Sequence, residues 1–146
     1  GLITCSKRFA GYFPYISYPA IFSSTLLDYE IAGLRATLEV IKDSDDLREA
    51  LIEKSAFLRG ELSAMGYKVQ SQSHIVSVES GSEENTEILR DALEERNIFG
   101  SVFCSPATPK NRALIRLSVN SKMSFDKLKY IVKSFQEIKD KNIFIV

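Results

Sequence analysis

From Ser44 onward, short apolar runs alternate with stretches whose apolar residues recur every three or four positions, with little linker between them. This alternation constrains the fold more than any other feature. A run of period two must bury one face of a strand, a run of period 3.6 one stripe of a helix, and each needs the other as cover. "YKVQ", "HIVSVES", "GSVFC" and "ALIRLSV" read as strands. One helix carries Leu47, Leu51, Leu58, Leu62 and Met65 on a single face, with Ser44 or Asp45 as N-cap and Gly66 as its stop. A second turns Ile88, Leu89, Ala92 and Leu93 inward, and a third, capped by Ser124, presents Leu128, Ile131, Val132, Phe135 and Ile138. The expected fold class is α/β, in the form of a two-layer α+β sandwich.

The sequence before this region has a different character. "GLITC" reads as a short strand, followed by a polar and aromatic stretch containing Pro14 and Pro19. "FSSTLLDYE" then leads into a helix with Ile31, Leu34, Leu38 and Ile41 at helical spacing. The expected boundary lies near Asp43: residues 44–146 can close their own small sheet, and residues 1–43 read as the edge of a larger domain. The start without methionine, already in strand-like sequence, carries the expectation of a chain cut from something longer.

Composition excludes several classes. Nineteen basic residues offset nineteen acidic ones, so no bulk charge argues for nucleic acid or an anionic membrane. Cys5 and Cys104 make no disulfide framework, and the single histidine, His74, gives no zinc set with them, so no metal is expected. No apolar run approaches the roughly eighteen residues of a membrane span, and no signal peptide is evident. Reduced thiols in the cytoplasm are the expected setting.

Few residues carry candidate chemistry. His74 opens a strand without a second histidine and reads as a strand-edge residue; "SGSEEN" reads as a solvated turn whose acids complement a helix dipole. Lys7, between polar and basic neighbours, reads as a surface lysine rather than an imine-forming one, and Arg8 and Arg112 have no special context. Ser23, Ser24 and Thr25 stand where a loop becomes a helix. Hydroxyls and free N–H groups there suit a phosphate, and plain N-capping by Ser24 or Thr25 fits equally well. Arg116 is the sharpest oddity, a guanidinium in an apolar strand that reads as sheet interior. It needs partners, because an unpaired buried charge costs several kcal/mol or more. Either it forms an ion pair with one of the acidic residues, or it clamps a carboxylate or phosphate through two parallel hydrogen bonds.

Three stretches together resemble the α-oxoamine synthases, pyridoxal-phosphate-dependent enzymes of fold type I within aminotransferase class I/II. "YPAIFSSTLLDYEIAGLRATLEVI" is similar to their Phe-Ser/Thr motif before a long helix. "SHIVSVESG" is similar to their Ser-His-Ile-Val-Pro-Val strand, with Ser77 in place of the proline. "IFGSVFCSPATPKNRALIRLSVNS" resembles their closing strand, proline loop and arginine-bearing strand. Within the family, the wording is nearest to the branch that makes α-aminoketone autoinducers for quorum sensing. The chain departs from the family at Met123-Ser124, where a His-Thr pair is frequent, and at Leu27-Asp28, where a double proline is frequent.

The resemblance implies the end of the large cofactor-binding domain over residues 1–43 and the small C-terminal α/β domain over 44–146. It implies a homodimer that condenses an amino acid with an acyl-CoA, with loss of CO2, on pyridoxal 5'-phosphate. Ser23, Ser24 and Thr25 would meet the cofactor phosphate across the dimer, and Arg116 the α-carboxylate of the amino acid. The Schiff-base lysine would lie upstream of Gly1, leaving this segment inactive alone. The 8-amino-7-oxononanoate synthase, 2-amino-3-ketobutyrate CoA ligase and serine palmitoyltransferase types are the alternatives within the family; a noncatalytic α/β binding or dimerisation module is the alternative outside it.

Overall fold

The computed structural model describes residues 3–22 and 26–143. The chain divides into two units, Gly1–Asp43 and Ser44–Val146. Among the described residues the first holds three helices, α1 (Lys7–Ile16), α2 (Tyr18–Ile21) and α3 (Asp28–Lys42). Ser6 caps α1 by accepting from the Phe9 N–H at 3.3 Å, and Ser17 caps α2 by accepting from Ala20 N–H at 3.4 Å. The Leu27 N–H donates to Glu30 Oε2 at 2.8 Å, which ties down the start of α3.

One expectation fails in this unit. Residues 3–5 of the predicted "GLITC" strand are irregular, while Gly1 and Leu2 lie outside the described residues. The proline-containing stretch is helical. Pro19 falls in the first turn of α2, where a missing N–H costs the helix little, while Pro14 lies inside α1, one turn from its end, and leaves the Ala10 carbonyl without its i→i−4 donor. No described residue of these helices is buried. Ile31, Leu34, Leu38 and Ile41 form the expected stripe on α3, yet each is 49–54% exposed. Apolar periodicity marks a face that needs cover, and nothing within this unit covers it.

The second unit comprises α4 (Asp45–Ala64), β1 (Lys68–Val69), β2 (Ile75–Gly81), α5 (Glu83–Glu94), β3 (Ser101–Phe103), β4 (Ala113–Ser118) and α6 (Phe125–Asp140). The strands form one antiparallel sheet in the order β1-β2-β4-β3. Leu58 and Leu62 of α4, Leu89 and Leu93 of α5, and Leu128, Phe135 and Ile138 of α6 pack with Val76, Val78, Ile115 and Leu117 of the sheet in one core. The two-layer expectation holds. Leu47 and Ile88, expected to face inward, are instead 42% and 40% exposed. On α5 the inward place goes to Thr86, whose hydroxyl lies 2.5 Å from that of buried Ser80. A buried hydroxyl is tolerated when it is hydrogen-bonded, so hydropathy alone misassigned this face.

Helix ends follow sequence closely. Gly66 adopts φ +94° after α4, its N–H donating to Ser63 O at 2.9 Å and the Tyr67 N–H to Leu62 O at 3.1 Å. This reciprocal pair satisfies carbonyls that the helix end would otherwise orphan. The chain then turns Tyr67 into the core, where its hydroxyl donates to Phe135 O at 2.9 Å and its ring meets Phe135 edge-on. Burial, with the nearby charge of Asp140, pushes the Tyr67 hydroxyl up to about 12.

Candidate anion site on the open face of the sheet

β4 alternates cleanly: Ala113, Ile115 and Leu117 are buried in the core, while Leu114, Arg116 and Ser118 point to the opposite face. Arg116 is therefore not a charge in the core, as the apolar run implied. It stands half-buried in the middle of the sheet on the face without helices from this unit's core. A strand of period two explains this, since its neighbours Ile115 and Leu117 carry the burial.

Register supplies the surroundings. Arg116 pairs with Ser77 on β2 and Ser101 on β3, two short side chains on the same face. Diagonally across from it on β3, the Phe103 ring lies under the guanidinium, whose carbon is 4.6 Å from the ring centroid. Arginine over an aromatic face is attracted by the ring quadrupole, which holds the fork flat without using its N–H donors. The Arg116 Nε is buried and has no hydrogen-bond partner among the described residues. None of the ion pairs among those residues includes Arg116. The ion-pair reading of this arginine therefore finds no support here.

Close approach of the edge strand depends on Gly100. A Cβ there would stand 2.4 Å from Ile115 Cγ2 and 3.1 Å from Leu117 Cδ2. Glycine thus lets β3 lie against β4 and brings Phe103 beneath Arg116. The Ser77 N–H donates to Ser71 Oγ at 3.2 Å rather than to a neighbouring strand. A proline at this position would lose no ladder bond, which accounts for the Ser/Pro exchange between this chain and the family pattern.

The same face carries a polar cluster that sequence reading missed. Arg112 donates to Glu79 Oε2 through Nη2 at 2.9 Å and Nε at 3.2 Å, and to Gln70 Oε1 at 2.8 Å. Gln70 Nε2 donates to the same Glu79 oxygen at 2.9 Å. Arg112 therefore has a context, against expectation. The position, two and four residues before Leu114 and Arg116 on one strand face, was the available signal.

Other candidates are placed plainly. Ser23, Ser24 and Thr25 lie outside the described residues. Lys7 is exposed in the first turn of α1, and His74 is exposed just before β2. In "SGSEEN", Ser82 caps α5 by accepting from Asn85 N–H at 3.1 Å, with Glu83 and Glu84 in the first turn. Among the described residues no group of His, Cys, Asp and Glu could hold a metal, and no helix is long and apolar enough to cross a membrane. An apolar cleft of about 360 Å³ lined by Leu58, Ile98, Phe99, Val119, Met123 and Ile131 does not include Arg116.

The family model for aminotransferase class I and II matches residues 1–135. The chain belongs to this family. Within it, the chain is 46% identical over 137 residues to the CAI-1 autoinducer synthase of Vibrio campbellii, covering 94% of this chain and 35% of that protein. It is 27% identical over 139 residues to the 8-amino-7-oxononanoate synthase of Petrotoga mobilis, again covering 94% of this chain and 35% of the relative. The chain thus spans about a third of the length of these curated relatives. Serine palmitoyltransferase of Sphingomonas wittichii matches at TM-score 0.81 and 22% identity, over 95% of this chain and 36% of that one. The 8-amino-7-oxononanoate synthase of Francisella tularensis matches at TM-score 0.75 and 22% identity, over 93% and 40%. At that identity the likeness speaks for the fold, the α/β class expected from sequence.

Proposed function

We propose that this chain is the C-terminal part of a cytoplasmic, homodimeric, pyridoxal-phosphate-dependent acyltransferase. The whole enzyme condenses an amino acid with an acyl-CoA, with decarboxylation, to an α-aminoketone used as a quorum-sensing autoinducer. Sequence identity supports the family branch: identity to the autoinducer synthase of Vibrio campbellii is 46%, against 27% to the Petrotoga synthase. Residues 1–43 would be the end of the cofactor-binding domain, and the half-exposed stripe on α3 fits a segment covered by the rest of the enzyme.

The observation that carries the reading is the buried, unpartnered Nε of Arg116. A guanidinium so placed fits a carboxylate, which its planar fork binds through two parallel charge-assisted hydrogen bonds. It offers nothing that holds a pyridine ring. The cofactor is assigned instead to Ser23, Ser24 and Thr25, outside the described residues, and to sequence upstream, where the resemblance places the Schiff-base lysine. When bound, pyridoxal phosphate supplies the electron sink for the carbanion chemistry. Arg116 binds the α-carboxylate, sets the orientation of the amino acid, and releases its partner when the carboxylate departs as CO2. Phe103 keeps the fork flat meanwhile, and Ser77 and Ser101 leave the space above it open.

Arg116→Lys in the full-length enzyme tests the reading, since lysine keeps the charge and loses the fork. Amino-acid affinity should fall by roughly tenfold to a hundredfold, the range for a hydrogen bond to a charged group, with acyl-CoA affinity and thermal stability nearly unchanged. Unfolding of the variant, or unchanged amino-acid binding, overturns it.

A further inference from the structure

The open face of the sheet holds an acid that Arg116 does not use. Glu79 pairs with Leu114 across the β2–β4 ladder, and Ser77 with Arg116, so Glu79 and Arg116 are diagonal neighbours on one face. Such neighbours stand about 7–8 Å apart, within reach of two long side chains. The Glu79 side chain is only 13% exposed. Arg112 and Arg116 stand two residues either side of Leu114, the cross-strand partner of Glu79, and the guanidinium Glu79 accepts from is Arg112, which lies just before β4 and is 48% exposed. Gln70 completes the arrangement by donating to the same Glu79 oxygen and accepting from Arg112.

We infer that Arg112, with Gln70, is a positioning residue that occupies Glu79 and so keeps Arg116 available for the substrate carboxylate. The inference rests on the assignment of Arg116 to that carboxylate. Its physical content is competition. Two carboxylates, one fixed at Glu79 and one arriving with the substrate, can draw on one guanidinium, and the fixed one has the advantage of being tethered. Two N–H donors from Arg112 and one from Gln70 converge on Glu79 Oε2, and the Phe103 ring under Arg116 holds the second guanidinium on the β3 side of the strand, away from Glu79. One arginine satisfies the protein's own acid; the other is kept for an external one. Lys68 stands directly opposite Glu79 on β1, and the hydrogen bonds at Glu79 among the described residues run to Arg112 and Gln70.

The experiment compares Arg112→Ala, Glu79→Gln, the double variant and Arg116→Gln in the full-length enzyme. Binding of glycine, L-alanine and L-serine is measured by calorimetry, beside acyl-CoA affinity, and the amino acid held most tightly by the unaltered enzyme serves as probe. Arg112→Ala should weaken amino-acid binding about fivefold, the effect of releasing a partly exposed ion pair as a competitor, with acyl-CoA affinity unchanged. Adding Glu79→Gln should restore it, because the competitor is then neutral, and Glu79→Gln alone should bind at least as tightly as the unaltered enzyme. A merely structural Arg112 would show no such rescue, so a loss that Glu79→Gln fails to repair overturns the inference. Unchanged binding in Arg112→Ala, with Arg116→Gln crippled, overturns it while leaving the carboxylate role of Arg116 standing. Unchanged binding in Arg116→Gln removes both.

Discussion

The Arg116 guanidinium lies over the Phe103 ring, 4.6 Å from carbon to centroid, with its Nε buried and unpartnered among the described residues. Stacking orients the fork and leaves its Nε donor unused among the described residues, which is the state a carboxylate receptor needs before its ligand arrives. A guanidinium already committed to an internal acid would lose that bond on binding, and the gain would shrink accordingly.

Replacing the platform should therefore loosen the receptor without dismantling the sheet. Phe103→Leu keeps an apolar side chain on β3 and removes the ring. Amino-acid affinity of the full-length enzyme should fall about fivefold, the equivalent of about 1 kcal/mol of cation–π attraction. A binding isotherm indistinguishable from that of the unaltered enzyme would show that the ring does not orient Arg116.

Gly100 makes the approach of β3 possible, so alanine there should be costly on steric grounds alone. A Cβ at 2.4 Å from Ile115 Cγ2 must displace either the β-branched side chain or the strand. Urea unfolding of Gly100→Ala should show a loss of about 1–3 kcal/mol, the usual cost of overpacking a core. Amino-acid affinity should fall with it, since Ile115 and Arg116 are adjacent on β4.

Tyr67 predicts an alkaline limit to stability. Its hydroxyl ionises near 10.0 in the unfolded chain and at about 12 in the fold, where burial and Asp140 oppose the phenolate. The raised folded value makes its contribution complete below pH 10 and lost progressively as pH rises through 12, because the unfolded chain releases the proton first. Tyr67→Phe should flatten the fall in stability across that window. At neutral pH it should cost about 1 kcal/mol for the lost bond to Phe135 O, read from chemical denaturation.

Ser24 separates capping from cofactor binding. As a helix cap, its replacement by alanine should lower stability by about 1 kcal/mol and leave the cofactor in place. As a phosphate ligand it should instead shorten cofactor retention on dialysis of the full-length dimer, at nearly constant melting temperature. The second outcome is expected; an unchanged dissociation rate rules it out.

Much of the architecture was legible in order. Ser124, Gly66 and the stripe Leu128–Phe135–Ile138 are local signals, and hydrogen bonds or apolar spacing within a few residues enforce them. Local signals also misled: "GLITC" looked extended, and its described residues 3–5 are irregular. At the candidate site, sequence singled out Arg116 from its apolar neighbours and the family resemblance supplied a ligand for it. Two things could come only from the tertiary structure. The first is the face: alternation allows either side of a strand to be buried, and it is the packing of α4, α5 and α6 that commits Ile115 to the core and Arg116 to the open side. The second is the pairing. Glu79 is 33 residues from Arg112 and Gln70 is 42, and no local rule links them. Which of two arginines, one on β4 and one just before it, receives the acid is decided by register, because β2, β4 and β3 side by side place Phe103 by Arg116 and Glu79 by Arg112.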